Sequence, residues 1–241
     1  ILAWEHLLQF SFIPMVAAAA LTWVVLRGMR GQRGVATVGA YISAAAKLFR
    51  NKTLIAVVLL SGTRSLSHHT VIIFIHIYLR EDLDYSTFVV GVYVSLLHLV
   101  GVVTHPILGS LSDRFGRKAV LTPGMISFGL LCLALAFAAP GVQLTLTILA
   151  SGAFIFTFHA IFVAAAMDLA AEEVHGTTVA LMYTSSFVVG AIGPLLGGLL
   201  ADAYGVKATF IFAGSVVIAT ALLLWAVRLP KVGSVAATES N

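Results

Sequence analysis

Seven stretches of this chain are each long and apolar enough to cross a lipid bilayer as a helix: Leu7–Leu26, Leu54–Leu79, Thr87–Leu108, Ala119–Ala138, Val142–Met167, Thr177–Leu200 and Thr209–Val227. A hydrocarbon core about 30 Å thick takes about 20 residues of helix. Backbone polar groups in that medium must bond to each other, so only helices or closed barrels can span it. Barrel strands alternate apolar and polar residues; runs such as LLCLALAFAA, Leu130 to Ala139, do not. The composition agrees, with 60% hydrophobic and only 10% charged residues, where a water-soluble domain carries about 25% charged. So few charges exclude a soluble enzyme, a nucleic-acid-binding module and a disordered chain. The expectation is an all-α membrane protein with seven transmembrane helices.

Basic residues set the expected sidedness. Arg27, Arg30, Arg33, Lys47, Arg50, Lys52, Arg114, Arg117, Lys118, Arg228 and Lys231 fall on one side of the spans, Arg80 and Lys207 on the other, and Arg64 inside a span. By the positive-inside rule the first side is cytoplasmic and Ile1 lies outside, in a multi-pass protein of the plasma membrane. Residues 1–26 then form one span, 27–53 a cytoplasmic linker, 54–229 a six-helix bundle and 230–241 a cytoplasmic tail that reads as disordered from Val232 to Asn241. Within the linker, Val35, Val38, Ile42, Ala45 and Phe49 recur at helical spacing beside Lys47 and Arg50, as in a surface-lying amphipathic helix; the alternative is a merely hydrophobic linker. Glu5 near the start, with no basic region before it, argues against a signal peptide. A first residue of Ile1 reads as a piece of something longer. Cys132, the single cysteine, reads as a packing residue, and no residue set calls for a metal or cofactor.

The most particular motif joins the third and fourth spans: GSLSDRFGRK, Gly109 to Lys118, read as a very short turn in which Gly109 and Gly116 supply close approach or positive φ. A charged hairpin serving topology alone would also explain a basic turn. The pattern resembles, however, the signature loop of the major facilitator superfamily, G-x-x-x-D-R-x-G-R-K, matched by Gly109, Asp113, Arg114, Gly116, Arg117 and Lys118. With the seven spans and the basic linker, the chain looks like helices six to twelve of a twelve-helix transporter, and the resemblance covers nearly all of it. It implies two six-helix halves rocking about a central site, with Asp113 and its basic neighbours latching the cytoplasmic side against the N-terminal half that this chain lacks. The sixth span holds GAIGPLLGG, in which Gly190, Gly193, Gly197 and Gly198 read as a packing face and Pro194 as a hinge. It resembles an antiporter motif of the superfamily, but that motif belongs to the fifth helix, so antiport is not carried over.

Charge inside a span marks the candidate site. Arg64 lies near the bilayer centre, where a charge costs at least about 2.5 to 3.5 kcal/mol. His68 is four residues on and shares its face with Ser61, Ser65, Ile72 and Ile75, while His69 and His76 share another. The resemblance makes this span the cavity-lining seventh helix. Arg64, His68 and His69 would then contact an anionic or polar small solute or carry a coupling proton; the alternative is that they satisfy backbone carbonyls at helix contacts. In the fifth span His159 sits among Phe154, Phe156, Phe158 and Phe162 as a substrate- or proton-pathway candidate or a packing residue. His98 and His105 share a face of the third span with Gly101 between them; two histidines alone make a poor metal site. Asp168, Glu172 and Glu173 lie in a cytoplasmic turn, and no carboxylate has membrane depth.

The function expected is a secondary active transporter of a small solute working by alternating access, with no nucleic-acid partner. A seven-helix receptor or an intramembrane enzyme are the alternatives. The receptor leaves the GSLSDRFGRK turn unexplained, and the enzyme lacks an HExxH, a Ser, His and Asp set at membrane depth, or a phosphate-cradling loop.

Overall fold

The computed structural model describes residues 4–27, 39, 43, 46, 48–227 and 229. The chain divides into two units, Ile1–Thr37 and Val38–Asn241. The first contains helix α1, Trp4–Leu26 (23 residues), which passes through Pro14 unbroken; its large apolar side chains from Phe12 to Val25 are exposed, as befits a helix solvated by lipid. The second unit holds the remaining helices: α2 Lys52–Ile77, α3 Thr87–Phe115, α4 Arg117–Phe137, α5 Val142–Ile155, α6 Thr157–Met167, α7 His175–Tyr204 and α8 Lys207–Ala226. Most of the linker expected to be an amphipathic helix, and the tail from 230, lie outside the described residues; residues 48–50 are helical.

Five of these helical stretches meet both the length and the apolarity of a membrane span: Thr87–Phe115, Arg117–Phe137, Val142–Met167, Glu172–Tyr204 and Lys207–Ala226. Helix α2 has the length, 26 residues, but Arg64, His68, His69 and His76 lower its hydropathy. Polarity in the interior of a bundle is where a membrane protein places function.

Local chemistry sets the helix ends. The Asn51 side-chain oxygen accepts from the N–H groups of Thr53 and Leu54 (3.1 and 3.2 Å) to open α2, and Ser86 caps α3 by accepting from Val89 N–H at 3.4 Å. Glycines at positive φ, Gly116 (98°) and Gly205 (84°), end α3 and α7. The structure corrects the expected turn between the third and fourth spans: α3 stays helical through Phe115, so Gly109, Asp113 and Arg114 are helical residues and Gly116 alone makes the corner. A side chain at Gly109 would meet nothing within 4 Å, so that glycine supplies neither close approach nor positive φ.

Three helix pairs pack through small residues. Between α2 and α7, a Cβ on Gly190 would strike His69, one on Gly193 the Leu66 carbonyl, and one on Gly197 the Phe74 ring, whereas Gly198 faces open space and is no part of that contact. The α7 helix continues through Pro194. Gly129 and Gly214 bring α4 against α8, and Gly152 brings α5 against the Leu97 carbonyl of α3. Without water to drive association, such backbone approach is how membrane helices gain contact. Large apolar side chains such as Leu195, Leu199, Leu222 and Trp225 are exposed.

The two ends of the bundle differ in charge. One face gathers the α3–α4 corner, Asp168 and the end of α8: Arg117 pairs with Asp168 (3.1 Å), and Lys118 Nζ donates to the Val227 carbonyl (2.8 Å). Asn51 reaches the same face, donating to Leu169 O at 3.4 Å. At the opposite face, Arg80 donates to the Tyr85 carbonyl (2.9 Å) and Lys207 Nζ stands 5.8 Å from the Tyr78 ring centre.

Candidate functional site

The expected fifth span is two helices. Between Val142 and Met167 there is no proline, yet α5 ends at Ile155 and α6 begins at Thr157, with Phe156 between them. Side-chain donors take over the backbone acceptors at this point. The Ala153 carbonyl accepts from the hydroxyls of Thr104 (3.0 Å) and Thr157 (3.3 Å), and the Ile155 carbonyl accepts from Arg64 Nη1 (3.2 Å) and His68 Nδ1 (2.9 Å). Insertion of side chains into the helical hydrogen-bond ladder is a recognised cause of a break. The partial negative charge at the end of α5 also favours the cation that it meets.

Arg64 is only 4% exposed. Its Nη2 donates to Ser65 Oγ (3.2 Å), and its Nε has no partner. It makes no ion pair among the described residues, where both salt bridges belong to Arg117. A buried charge without a counter-ion is costly, so this one is held by carbonyl and hydroxyl dipoles and left able to accept an anion.

Around it lies a cavity of about 280 Å³, lined from α2 by Arg64, Ser65, His68 and His69, from the break by Ile155 and Phe156, and from α6 by His159. Helix α7 completes the wall with Tyr183, Ser186 and Phe187. A carbonyl only accepts, so Nδ1 of His68, bound to Ile155 O, and Nδ1 of His69, bound to Ser65 O (2.9 Å), carry the protons. His159 Nδ1 meets Ser186 Oγ at 3.3 Å, and Ser186 in turn meets Ser61 Oγ at 3.4 Å; His159 Nε2 is buried and unpartnered. Aromatic rings line one side: His159 packs edge-on to Tyr183 (4.6 Å) and Tyr183 stacks on Phe187 (6.3 Å). The site can therefore hold an anionic or hydrogen-bonding group against one guanidinium, several imidazoles and a phenol.

The four residues singled out in sequence, Arg64, His68, His69 and His159, all line this one cavity. Tyr183, Ser186 and Phe187 were missed, although their spacing on α7 is helical and could have flagged them. So were Phe156 and the Ile155 carbonyl, for which no sequence signal exists. His76 donates to Ile72 O, one turn back on its own helix, and does not line the cavity.

The signature residues form a separate cluster on the basic face. Arg117 bridges Asp113, Asp168 (Nε to Oδ2, 3.1 Å) and Ser112 Oγ (3.0 Å), tying the α3–α4 corner to the end of α6. Lys118 caps the last carbonyls of α8, at Trp225 and Val227, while Arg114 lies over the Phe115 ring at 5.5 Å. A larger cavity, about 550 Å³, opens beside Arg117 and Lys118. Their donors already serve protein acceptors, so the chemistry points to the smaller cavity around Arg64.

Comparison with known proteins adds to this geometry. The family model described as Major Facilitator Superfamily matches residues 2–157 and again residues 53–240. The multidrug resistance protein MdtG of Yersinia enterocolitica is 30% identical over 139 residues, 56% of this chain and 32% of that protein. The MdtG of Salmonella typhimurium is 27% identical over 158 residues, 62% of this chain and 38% of its own length. The multidrug efflux pump Tap of Mycobacterium tuberculosis is 27% identical over 132 residues, 55% of this chain and 30% of Tap. The chain thus spans about a third of the length of the curated relatives it matches.

Proposed function

The chain belongs to the major facilitator superfamily, and from that premise we propose that it works as the C-terminal part of a secondary active transporter, moving a small anionic or polar solute by alternating access. The observation that carries this reading is Arg64: a buried guanidinium with no counter-ion among the described residues, lining a cavity formed by α2, α6 and α7. A permanent charge buried without a counter-ion selects for negative charge on a ligand.

In this reading residues 54–229 form one rocking half and a second six-helix half closes the cavity from the other side. Arg117, bonded at once to Asp113 and Asp168, makes the basic face of this half move as one body. Asp113, 65% exposed at its side chain, keeps carboxylate surface free to engage the opposing half when the basic face is closed. That face is cytoplasmic by the charge rule, in the plasma membrane. Proton coupling through a buried carboxylate would use the other half, since the acidic residues of this chain lie at or beyond span ends, while Arg64, His68, His69 and His159 are this half's own candidates for a proton pathway. The names of the relatives, a multidrug resistance protein and a multidrug efflux pump, support export as the direction.

Reconstitution of the transporter containing this chain into proteoliposomes tests the proposal. Arg64→Ala is expected to lower transport of an anionic solute at least tenfold, and flux that is unchanged for every accepted solute would remove Arg64 from the site.

A further inference from the structure

Phe156 lines two cavities, with its ring between those of His68 and His98. On one side is the Arg64 cavity; on the other is a cavity of about 390 Å³ lined by His98, Gly101, Val102, His105 and Pro106 of α3, with Phe156 itself as the shared side. The ring lies 5.6 Å from that of His68 and 4.6 Å from that of His98. It is mounted at the one interruption of the α5–α6 span, where the Ile155 carbonyl next to it is held by Arg64 and His68.

The two chambers differ in chemistry. The first offers the Arg64 guanidinium with an unpartnered Nε, the unpartnered Nε2 of His159, and hydroxyls of Ser186 and Tyr183. The second offers mainly carbon, and His98 there has its Nδ1 committed to the Val94 carbonyl at 2.8 Å. Neither contains a carboxylate. The two cavities hold about 280 and 390 Å³, and Phe156 lines both.

We propose that both chambers hold one ligand, an amphipathic organic monoanion whose acidic group sits at Arg64 and whose apolar ring or chain lies past Phe156 against α3. This rests on the transporter reading above and narrows its substrate class. A single fixed cation matches a single negative charge, because a dianion would leave one charge without a fixed counter-charge in the cavity. The apolar chamber gives the rest of the molecule a place that inorganic anions leave unused, and each buried methylene or ring carbon there adds to affinity. Phe156 is then the specificity-determining residue, and Gly101 sets its position: a Cβ on Gly101 would stand 2.8 Å from Phe156 Cδ2, so even alanine forces the ring to shift.

The test is equilibrium binding to the purified transporter in lipid nanodiscs, with empty nanodiscs subtracted, using 2-naphthalenesulfonate, methanesulfonate and 2-naphthalenemethanol. The naphthalenesulfonate is expected to bind at least tenfold more tightly than either of the others. Arg64→Gln should bring it down to the level of the neutral alcohol, while Gly101→Ala should weaken it severalfold and leave methanesulfonate unchanged. Equal affinity for methanesulfonate and naphthalenesulfonate, or equal loss of both in Gly101→Ala, overturns the shared site. Binding as expected without any transport in proteoliposomes would sink the transporter reading alone; transport of neutral solutes with no preference for the sulfonate would sink this inference alone.

Discussion

The Arg64 guanidinium donates to the Ile155 carbonyl, 3.2 Å away, at the residue where α5 stops. One contact thus holds an unpaired charge in the bundle and occupies an acceptor exposed by a helix break without proline. Whether that contact is there for stability or for a ligand has a measurable answer. A buried charge without a counter-ion carries a desolvation penalty that an apolar side chain of similar volume does not. Arg64→Met is accordingly expected to keep or raise unfolding stability in detergent while abolishing transport. A protein destabilised by more than about 2 kcal/mol would instead make Arg64 a strut.

Close packing of α2 against α7 predicts a steep response at Gly193 and none at Gly198. Gly193→Val places new carbon against the Leu66 carbonyl and Thr70 Oγ1, so the helices must separate, at a cost of about 1 to 3 kcal/mol or more. Gly198→Val has open space and should unfold within about 0.5 kcal/mol of the parent. Thermal or denaturant unfolding of the two variants side by side checks this.

At Gly116 the cost is in the backbone rather than in packing. A Cβ there meets nothing within 4 Å, but φ is 98° with ψ 144°, a region essentially reserved for glycine. Gly116→Ala is expected to lose about 1 to 3 kcal/mol; an unperturbed melting curve would mean that the corner relaxes without strain.

The Arg117 cluster should matter for conformation more than for stability. Its partner carboxylates are well exposed, 65% for the Asp113 side chain and 40% for Asp168, and exposed pairs contribute about 0 to 1 kcal/mol. Asp168→Asn should therefore barely change unfolding, yet shift spin-label distances across the basic face by releasing α6 from the α3–α4 corner. Unaltered distances with normal transport would count against a role in moving this half as one body.

Sidedness can be read with thiol reagents, because Cys132 is fully buried and leaves the parent protein silent. Arg114→Cys on the basic face should react with a membrane-impermeant maleimide only in inside-out vesicles, and Glu81→Cys on the opposite face only in right-side-out cells. The reverse pattern would invert the assigned orientation.

Much of this architecture was legible in sequence, for local reasons. A span needs only its own run of apolar residues, since the bilayer demands length and internal hydrogen bonding from each helix separately, and the basic residues flanking α3 and α4 sort to one face by the same local rule. Arg64 stood out because a charge in such a run is expensive wherever the helix ends up. The six signature positions were readable as a pattern, but as a turn, because nothing in Gly109 to Phe115 reveals that α3 continues until Gly116.

What only the tertiary structure decided involves partners far apart in the chain. Arg64 and Ile155 meet across 91 residues, and Arg117 and Asp168 across 51. The break at Phe156 has no breaker residue of its own: it follows from donors on α2 and α3 reaching carbonyls of α5, and every residue carries the same carbonyl, so sequence cannot distinguish the ones that will be used. The bilayer dictated which segments become helices and the residue types recorded it; the packing of those helices dictated which backbone acceptors face the buried cation, and that exists only once they are assembled.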